Sequence, residues 1–210
     1  RSVHVLGHAV VPTPTPRSFE ERAGILFVGG IYTDDSPNAD SLRWFAREVW
    51  PLIQTALGGE VIFHIVGRNR APTIHELASD SMELVGSVEE LGPWYDKARV
   101  VVAPTRYAAG IPMKAHTAAA YGTPLVSTTL IAEHLGWRSG FQLLAADDPA
   151  EFAAACVRLH TDSKLWQAIR QGALEQVARD CSPERFRSTT QRLVEAIPLV
   201  HRSAQGPRSR

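Results

Sequence analysis

Apolar residues along this chain fall into short unbroken runs, separated by longer stretches in which they return every three or four positions. The runs are 24–28 (GILFV), 61–66 (VIFHIV), 82–85 (MELV), 100–103 (VVVA), 125–127 (LVS) and 142–145 (QLLA). None alternates apolar with polar in the way a half-exposed strand does. Such runs read as strands covered by helices on both faces. Between the first two, Leu42, Phe45, Ala46, Val49 and Ile53 keep helical spacing, and Ser36-Pro37 supplies a cap followed by a first-turn proline. Asp148-Pro149, Asp162 and Ser182-Pro183 mark three later helix starts. Their stripes carry Phe152, Cys156 and Leu159, then Leu165, Trp166 and Ile169, then Phe186, Leu193 and Ile197.

Strands alternating with helices to about residue 147, followed by helices alone, predict an α/β fold. The expected form is a Rossmann-like, doubly wound parallel sheet of about six strands, with helices on both faces and a C-terminal helical extension. Pro12, Pro14 and Pro16 favour extended chain, so residues 1–23 read as a linker from a preceding domain. Residues 24–198 form the domain proper and 199–210 a flexible tail.

The length of 210 residues suits one such domain and leaves little room for two. Lysine plus arginine balance aspartate plus glutamate at 22 each. Five of the 22 basic residues lie in residues 1–19 and 199–210, which hold no acid, so residues 20–198 carry 17 basic against 22 acidic side chains. A mildly acidic body argues against a nucleic-acid-coating surface. Cys156 and Cys181 show no zinc spacing and read as reduced core thiols. No apolar run approaches the roughly 20 residues needed to span a bilayer. The expected location is cytoplasmic, with peripheral contact of a longer protein at the inner membrane face left open.

In an open parallel sheet the ligand sits beyond the carboxyl ends of the strands. The junctions there are Gly29-Gly30, Gly67-Arg68, Gly86-Ser87-Val88 and Pro104-Thr105-Arg106. Glycines at several of these positions let a ligand approach the backbone. The densest segment, APTRYAAGIPMKAHTAAAYGTPLVST, spans 103–128. In it Gly110-Ile111-Pro112 enters a small-residue helix ended by Gly122, with Arg106 and Lys114 as candidate cations. A helix N-terminus flanked by two cations is a candidate diphosphate cradle. His116 lies beside it and reads first as a helix-face histidine. No G-x-x-x-x-G-K-[ST], G-x-G-x-x-G, HExxH or G-x-S-x-G pattern occurs, which removes the main support for P-loop, dinucleotide, zinc-protease and hydrolase readings.

At these residues the sequence resembles the C-terminal, donor-binding half of GT-B glycosyltransferases of the group 1, family-four type. The stretches that carry the likeness are ILFVGG with SPNADSLRWF, HIVG, LVGSVEELGPWYDKARVVVAPTRYAAGIPMK, AYGTPLVST and LLAADDPAEFAAACVRL, across about 24–195. The resemblance implies a nucleoside diphosphate sugar as donor, a glycan or lipid acceptor held by a missing N-terminal domain, retention of anomeric configuration, and no metal or other cofactor. It implies base contacts from backbone around Ser87 and Val88. Arg106 and Lys114 would act at the diphosphate as the catalytic cations, and Gly110 and Ile111 amides would lie near phosphate and sugar. Gly29, Gly30, Gly67, Arg68 and Pro112 complete the expected donor contacts, with Thr117 facing the ribose.

Two departures stand out. The family usually opens the helix after the lysine with a glutamate that bonds the ribose diol; this chain has Thr117, and the partner glutamate eight residues earlier falls on Ala109. A carboxylate accepts charge-assisted hydrogen bonds that a hydroxyl does not match, a difference of roughly 1–3 kcal/mol. Three readings follow: a donor-binding half of an active enzyme, a non-catalytic binding or assembly module with a degenerate site, and, least favoured, a nucleotide-sugar epimerase of the same fold.

Overall fold

The computed structural model describes residues 6–107, 110 and 112–195. Six strands form one sheet: β1 (Ile25–Val28), β2 (Phe63–Val66), β3 (Met82–Gly86), β4 (Val100–Ala103), β5 (Leu125–Ser127) and β6 (Leu144–Ala145). Their order is β3-β2-β1-β4-β5-β6 and every neighbouring pair is parallel. The expected doubly wound sheet is therefore present. β1, β2 and β6 start one or two residues after their apolar runs do, β3 ends one residue beyond its run, and β4 and β5 coincide with theirs.

Successive side chains of a strand point to opposite faces, so each apolar run feeds two cores. Ile25 and Phe27, Phe63 and Ile65, and Val100 and Val102 enter one core; Leu26, Val66, Val101 and Ala103 enter the other. The first core holds an aromatic cluster, with ring centroids 4.7 Å apart for Phe45 and Phe63 and 5.4 Å for Trp50 and Phe63. It is covered by α1 (Pro37–Trp44), α2 (Trp50–Ala56) and, later in the chain, Pro149–Thr161. Short helices α3 (Pro72–His75) and α4 (Gly92–Lys97) follow β2 and β3. The second core lies under α5 (Met113–Tyr121) and α6 (Thr129–Leu135). There Ala115, Ala118 and Ala119 are small enough to seat α5 directly on the sheet.

The helix expected across 37–53 is one rod with a defect. Residues Phe45–Val49 between α1 and α2 form a π-helical turn, in which the Trp50 amide reaches back to the Phe45 carbonyl. Pro51 has no N–H to give and its ring crowds the carbonyl four residues back. The wider turn just before it absorbs that misfit without breaking the apolar stripe.

The C-terminal extension comprises α7 (Pro149–Thr161), α8 (Ser163–Asp180) and α9 (Pro183–Glu195). Asp148 and Asp162 cap α7 and α8 as their spacing predicted, each carboxylate accepting two first-turn amides. On α9 no residue is buried; Phe186 and Leu193 are half-covered, and Ile197 lies outside the described residues. Among the described residues no helix is long and apolar enough to cross a membrane.

The proline-rich segment before β1 runs against the body. Thr13 and Thr15, the residues between its prolines, donate backbone N–H groups to the Ala120 and Tyr121 carbonyls at the end of α5, at 2.9 and 3.0 Å. Those are helix-end carbonyls with no intrahelical partner, so an extended strap caps them. Arg22, 1% exposed, anchors the strap. Its guanidinium donates to the carbonyls of Arg17, Tyr95 and Thr15 and to the Thr15 hydroxyl, with Asp96 at 3.6 Å. Burial and the nearby Arg170 push its pKa down to about 10, so it stays charged at neutral pH.

Arg22→Ala is expected to lower stability by about 3 kcal/mol, because it strands several buried acceptors at once. Arg22→Lys should restore only part of this, lacking the planar fork. Urea unfolding of the two variants measures both, and equal stability of Arg22→Ala and wild type would contradict the role.

Candidate functional site

A parallel sheet of this order has its switch point between β1 and β4, where the following loops diverge to opposite faces and leave a crevice. A cleft of about 370 Å³ opens there, lined by Gly30, Asn38, Thr105, Gly110, Pro112 and Lys114 among others. The first turns of α1 and α5 both border it, through Ser36, Pro37 and Asn38 on one side and Met113, Lys114 and Ala115 on the other. No side chain caps α5, and first-turn amides lack intrahelical acceptors. The positive ends of two helix dipoles thus meet at one crevice.

Lys114 supplies its formal charge. Its Nζ donates to Asn38 Oδ1 at 2.6 Å, Asn38 Nδ2 donates to the Gly30 carbonyl at 2.6 Å, and the ammonium lies 5.4 Å from the Phe27 ring centroid. Burial lowers the Lys114 pKa below the ordinary lysine value. Among the described residues Lys114 is in no ion pair. Among the described residues this partly desolvated ammonium meets an amide oxygen and an aromatic face but no carboxylate, which leaves it electrostatically under-satisfied.

Two backbone contacts shape the cleft floor. A Cβ on Gly67, at φ +139°, would stand 2.2 Å from the Gly29 carbonyl oxygen, so only glycine lets the β1 and β2 loops lie this close. A Cβ on Gly29 would meet Lys114 Cε at 2.9 Å and Asn38 Nδ2 at 3.1 Å. The absent side chain at Gly29 is the space through which Lys114 reaches Asn38.

The residues singled out in the sequence divide into those at the cleft and those away from it. Gly30, Gly110, Pro112 and Lys114 line it, and Gly29 and Gly67 set its floor. Arg106 is not among the lining residues. Its guanidinium is held by Asp40 in a two-point ion pair, Nε to Oδ2 at 3.0 Å with Nη2 on Oδ1. That pair ties the β4 loop to the first turn of α1, and the Tyr107 hydroxyl, which donates to the Asp35 carbonyl, ties it to the loop after β1. The hydrogen bond to Asp40 raises the Arg106 pKa further. The Arg68 and Ser87 side chains are exposed and stand outside the cleft, and Val88 packs on the second core. Thr117 turns its hydroxyl back to the Met113 carbonyl at 2.8 Å, four residues earlier on the same helix. Ile111 and Ala109 lie outside the described residues.

Sequence reasoning missed Asn38 and Asp40. Both sit in the first turn of α1, where Ser36-Pro37 was read only as a helix start. Thr105 and Thr128 were missed as a pair: the buried Thr128 hydroxyl donates to the Thr105 carbonyl at 2.6 Å and pins the β4 loop at the cleft edge. His116, the helix-face histidine, is 7% exposed; burial and then His8 drive its pKa down to about 4. It faces a second, adjoining cavity and not the Lys114 cleft.

The family model described as "Glycosyl transferases group 1" matches residues 22–162. No curated protein matches the chain. Among solved structures, TarM of S. aureus, in a complex with fondaparinux, alpha-GlcNAc-glycerol and UDP, aligns with TM-score 0.76 at 14% identity, over 90% of this chain and 39% of that one. The pneumococcal O-GlcNAc transferase GtfA, in complex with UDP and GlcNAc, aligns with TM-score 0.68 at 16% identity, over 90% and 38%. The C-terminal domain of the group 1 family protein LpcC from Francisella tularensis aligns with TM-score 0.62 at 15% identity, over 82% and 97%. The chain thus spans about two fifths of the TarM and GtfA chains and nearly all of an isolated C-terminal domain. These likenesses establish the Rossmann-like GT-B fold.

Two outcomes are expected of the cleft. An anion bound beside Lys114 stabilises the ammonium, so pyrophosphate affinity should hold through neutral pH and fall as pH rises through the lowered Lys114 pKa, earlier than an ordinary lysine at about 10.4 would lose it. Stability of the unliganded protein should move the opposite way. A base whose folded pKa is depressed is better protonated unfolded, so folding is favoured more as pH rises through that window. Calorimetric titration with pyrophosphate against pH, with parallel unfolding curves, tests both signs. Separately, Gly29→Ala should displace the Lys114 side chain and weaken pyrophosphate binding by about tenfold, or 1.4 kcal/mol. Unchanged affinity would show that Lys114 does not act through this space.

Proposed function

The chain belongs to the group 1 glycosyl transferases, and we propose that it is the donor-binding half of a retaining enzyme that transfers a sugar from a nucleoside diphosphate sugar to a glycan or lipid acceptor. The observation that carries this reading is the half-buried Lys114 at the N-terminal turn of α5, on the switch point of the sheet and in no ion pair among the described residues. When the donor's bond from C1 to the diphosphate oxygen breaks and the acceptor oxygen bonds to C1, negative charge grows on the departing diphosphate. A preorganised cation and helix amides in a crevice stabilise that charge more than the ground state, which is how such a site accelerates transfer. Arg106, tethered beside the cleft, would join by exchanging Asp40 for a phosphate oxygen.

UDP is present in the TarM and GtfA structures, which makes uridine diphosphate the first nucleotide to try. The acceptor is assigned to a second domain, a reading supported by the share of TarM and GtfA that this chain spans. Two free, buried cysteines suit a reducing, cytoplasmic setting. Ribose recognition is the weak point of the site, because the Thr117 hydroxyl donates its proton to Met113 and keeps only an uncharged acceptor for a ribose diol where the family has a carboxylate.

Calorimetry of the full-length protein with UDP, GDP, dTDP and their sugars tests the proposal. One nucleotide series should bind, and Lys114→Ala should weaken it at least tenfold, about 1.4 kcal/mol. Absence of binding across the panel, or indifference to Lys114→Ala, would overturn it. Thr117→Glu then separates two forms of the site: a gain in affinity identifies a degenerate ribose pocket and a non-catalytic member, whereas a loss identifies threonine as part of a working variant.

A further inference from the structure

His8, His116 and Cys181 are 108 and 65 residues apart in sequence, yet each places a ligand atom within 4.8 Å of the other two. His8 comes from the strap before β1, His116 from the buried face of α5, and Cys181 from the C-terminal end of α8. The two imidazoles meet at a centroid distance of 4.8 Å with rings tilted by 51°. His8 Nε2 and His116 Nδ1 are both buried without a hydrogen-bond partner, and Cys181 is a free thiol, 4% exposed. Buried ring nitrogens ordinarily find partners, and two orphans converging on a thiol need an explanation.

We infer that His8, His116 and Cys181 form a binding site for a borderline-soft divalent ion of the zinc type. Two imidazoles and one thiolate are the donor set such an ion prefers, and hard oxygen-seeking cations are poorly served by it. Bonds of about 2.0–2.3 Å put tetrahedral ligands roughly 3.3–3.8 Å apart, so closing from 4.8 Å asks for side-chain rotation at His8 on the extended strap. Binding forms one sulfur–metal bond and releases the Cys181 thiol proton to solvent. His8, His116 and Cys181 all line a cavity of about 500 Å³ that Asp180, Arg185 and His134 also border, which leaves room for a fourth ligand. Asp180 already accepts from Trp137 Nε1 at 2.9 Å, and the Trp137 ring packs edge-on against His116, which fixes the orientation of that imidazole. Gly110 and Pro112 border this cavity and the Lys114 cleft alike. An ion here would staple the strap to α5 and α8 beside the donor site without contacting Lys114. The inference is independent of the proposed function.

The full-length protein, stripped by a chelator and titrated with Co²⁺, should take up one equivalent with the visible spectrum of a four-coordinate ion and a thiolate-to-cobalt charge-transfer band. Zn²⁺ should displace it and raise the melting temperature. Cys181→Ser should abolish the charge-transfer band, and His8→Ala, outside both cores, should weaken uptake at least about tenfold while the protein stays folded. Cys156→Ala should leave the band in place. No band, or a band that survives Cys181→Ser or depends on Cys156, would overturn the inference, as would uptake unaffected by His8→Ala. UDP binding by the metal-free protein, measured alongside, reports on the donor cleft separately.

Discussion

The structure depends on a sheet buried on both faces. Once β1 and β4 are apolar at every position, and β2 at every position but His64, both surfaces must be covered, and helices can cover both only if the chain crosses over between parallel strands. Every crossover then leaves a loop at the carboxyl edge. Reversal of winding between β1 and β4 parts two of those loops and opens the crevice. The site is thus a by-product of how the hydrophobic runs are hidden, before any polar residue is considered.

What makes the crevice chemical is that its charge is under-satisfied by design of the surroundings. Asp40, in the first turn of α1, takes Arg106 and leaves Lys114 to an amide oxygen. The two cations thereby differ in kind. One is exposed, always charged and already paired; the other is desolvated and gains most from an incoming anion. Asn38 is the hinge of this arrangement, because its amide accepts from Lys114 while donating to the Gly30 carbonyl, fixing the β1 loop and the ammonium together.

Much of the fold was legible in the chain because burial on two faces writes itself as unbroken apolar runs, and helix starts write themselves as Ser-Pro, Asp-Pro and Asp caps. The six strands, the capped α7 and α8, and the loop that enters α5 followed from those local signals. The π turn at Phe45–Val49 did not, although Pro51 was the clue: a proline inside a strong apolar stripe must distort the helix before it if the stripe is kept. Asn38 and Asp40 were invisible for another reason. Polar residues in a first helical turn are ordinary, and only the register of α1 against the β4 loop turns them toward Lys114 and Arg106. The strap was legible as extended chain, but not its docking, which needs the free carbonyls of α5 and the buried socket for Arg22.

By itself, then, the sequence determined the kind of sheet, the carboxyl edge at which the crevice opens and the helix N-terminus that borders it. These depend on periodicity and on capping, which act within a few residues. Tertiary structure alone decided which cation is free and which is paired, that the Thr117 hydroxyl is spent on its own helix, and that His8, His116 and Cys181 share one space. Those outcomes are set by side chains approaching within a few ångströms across long sequence separations. No local pattern encodes such an approach; the packing of α5 between strap, sheet and α8 does.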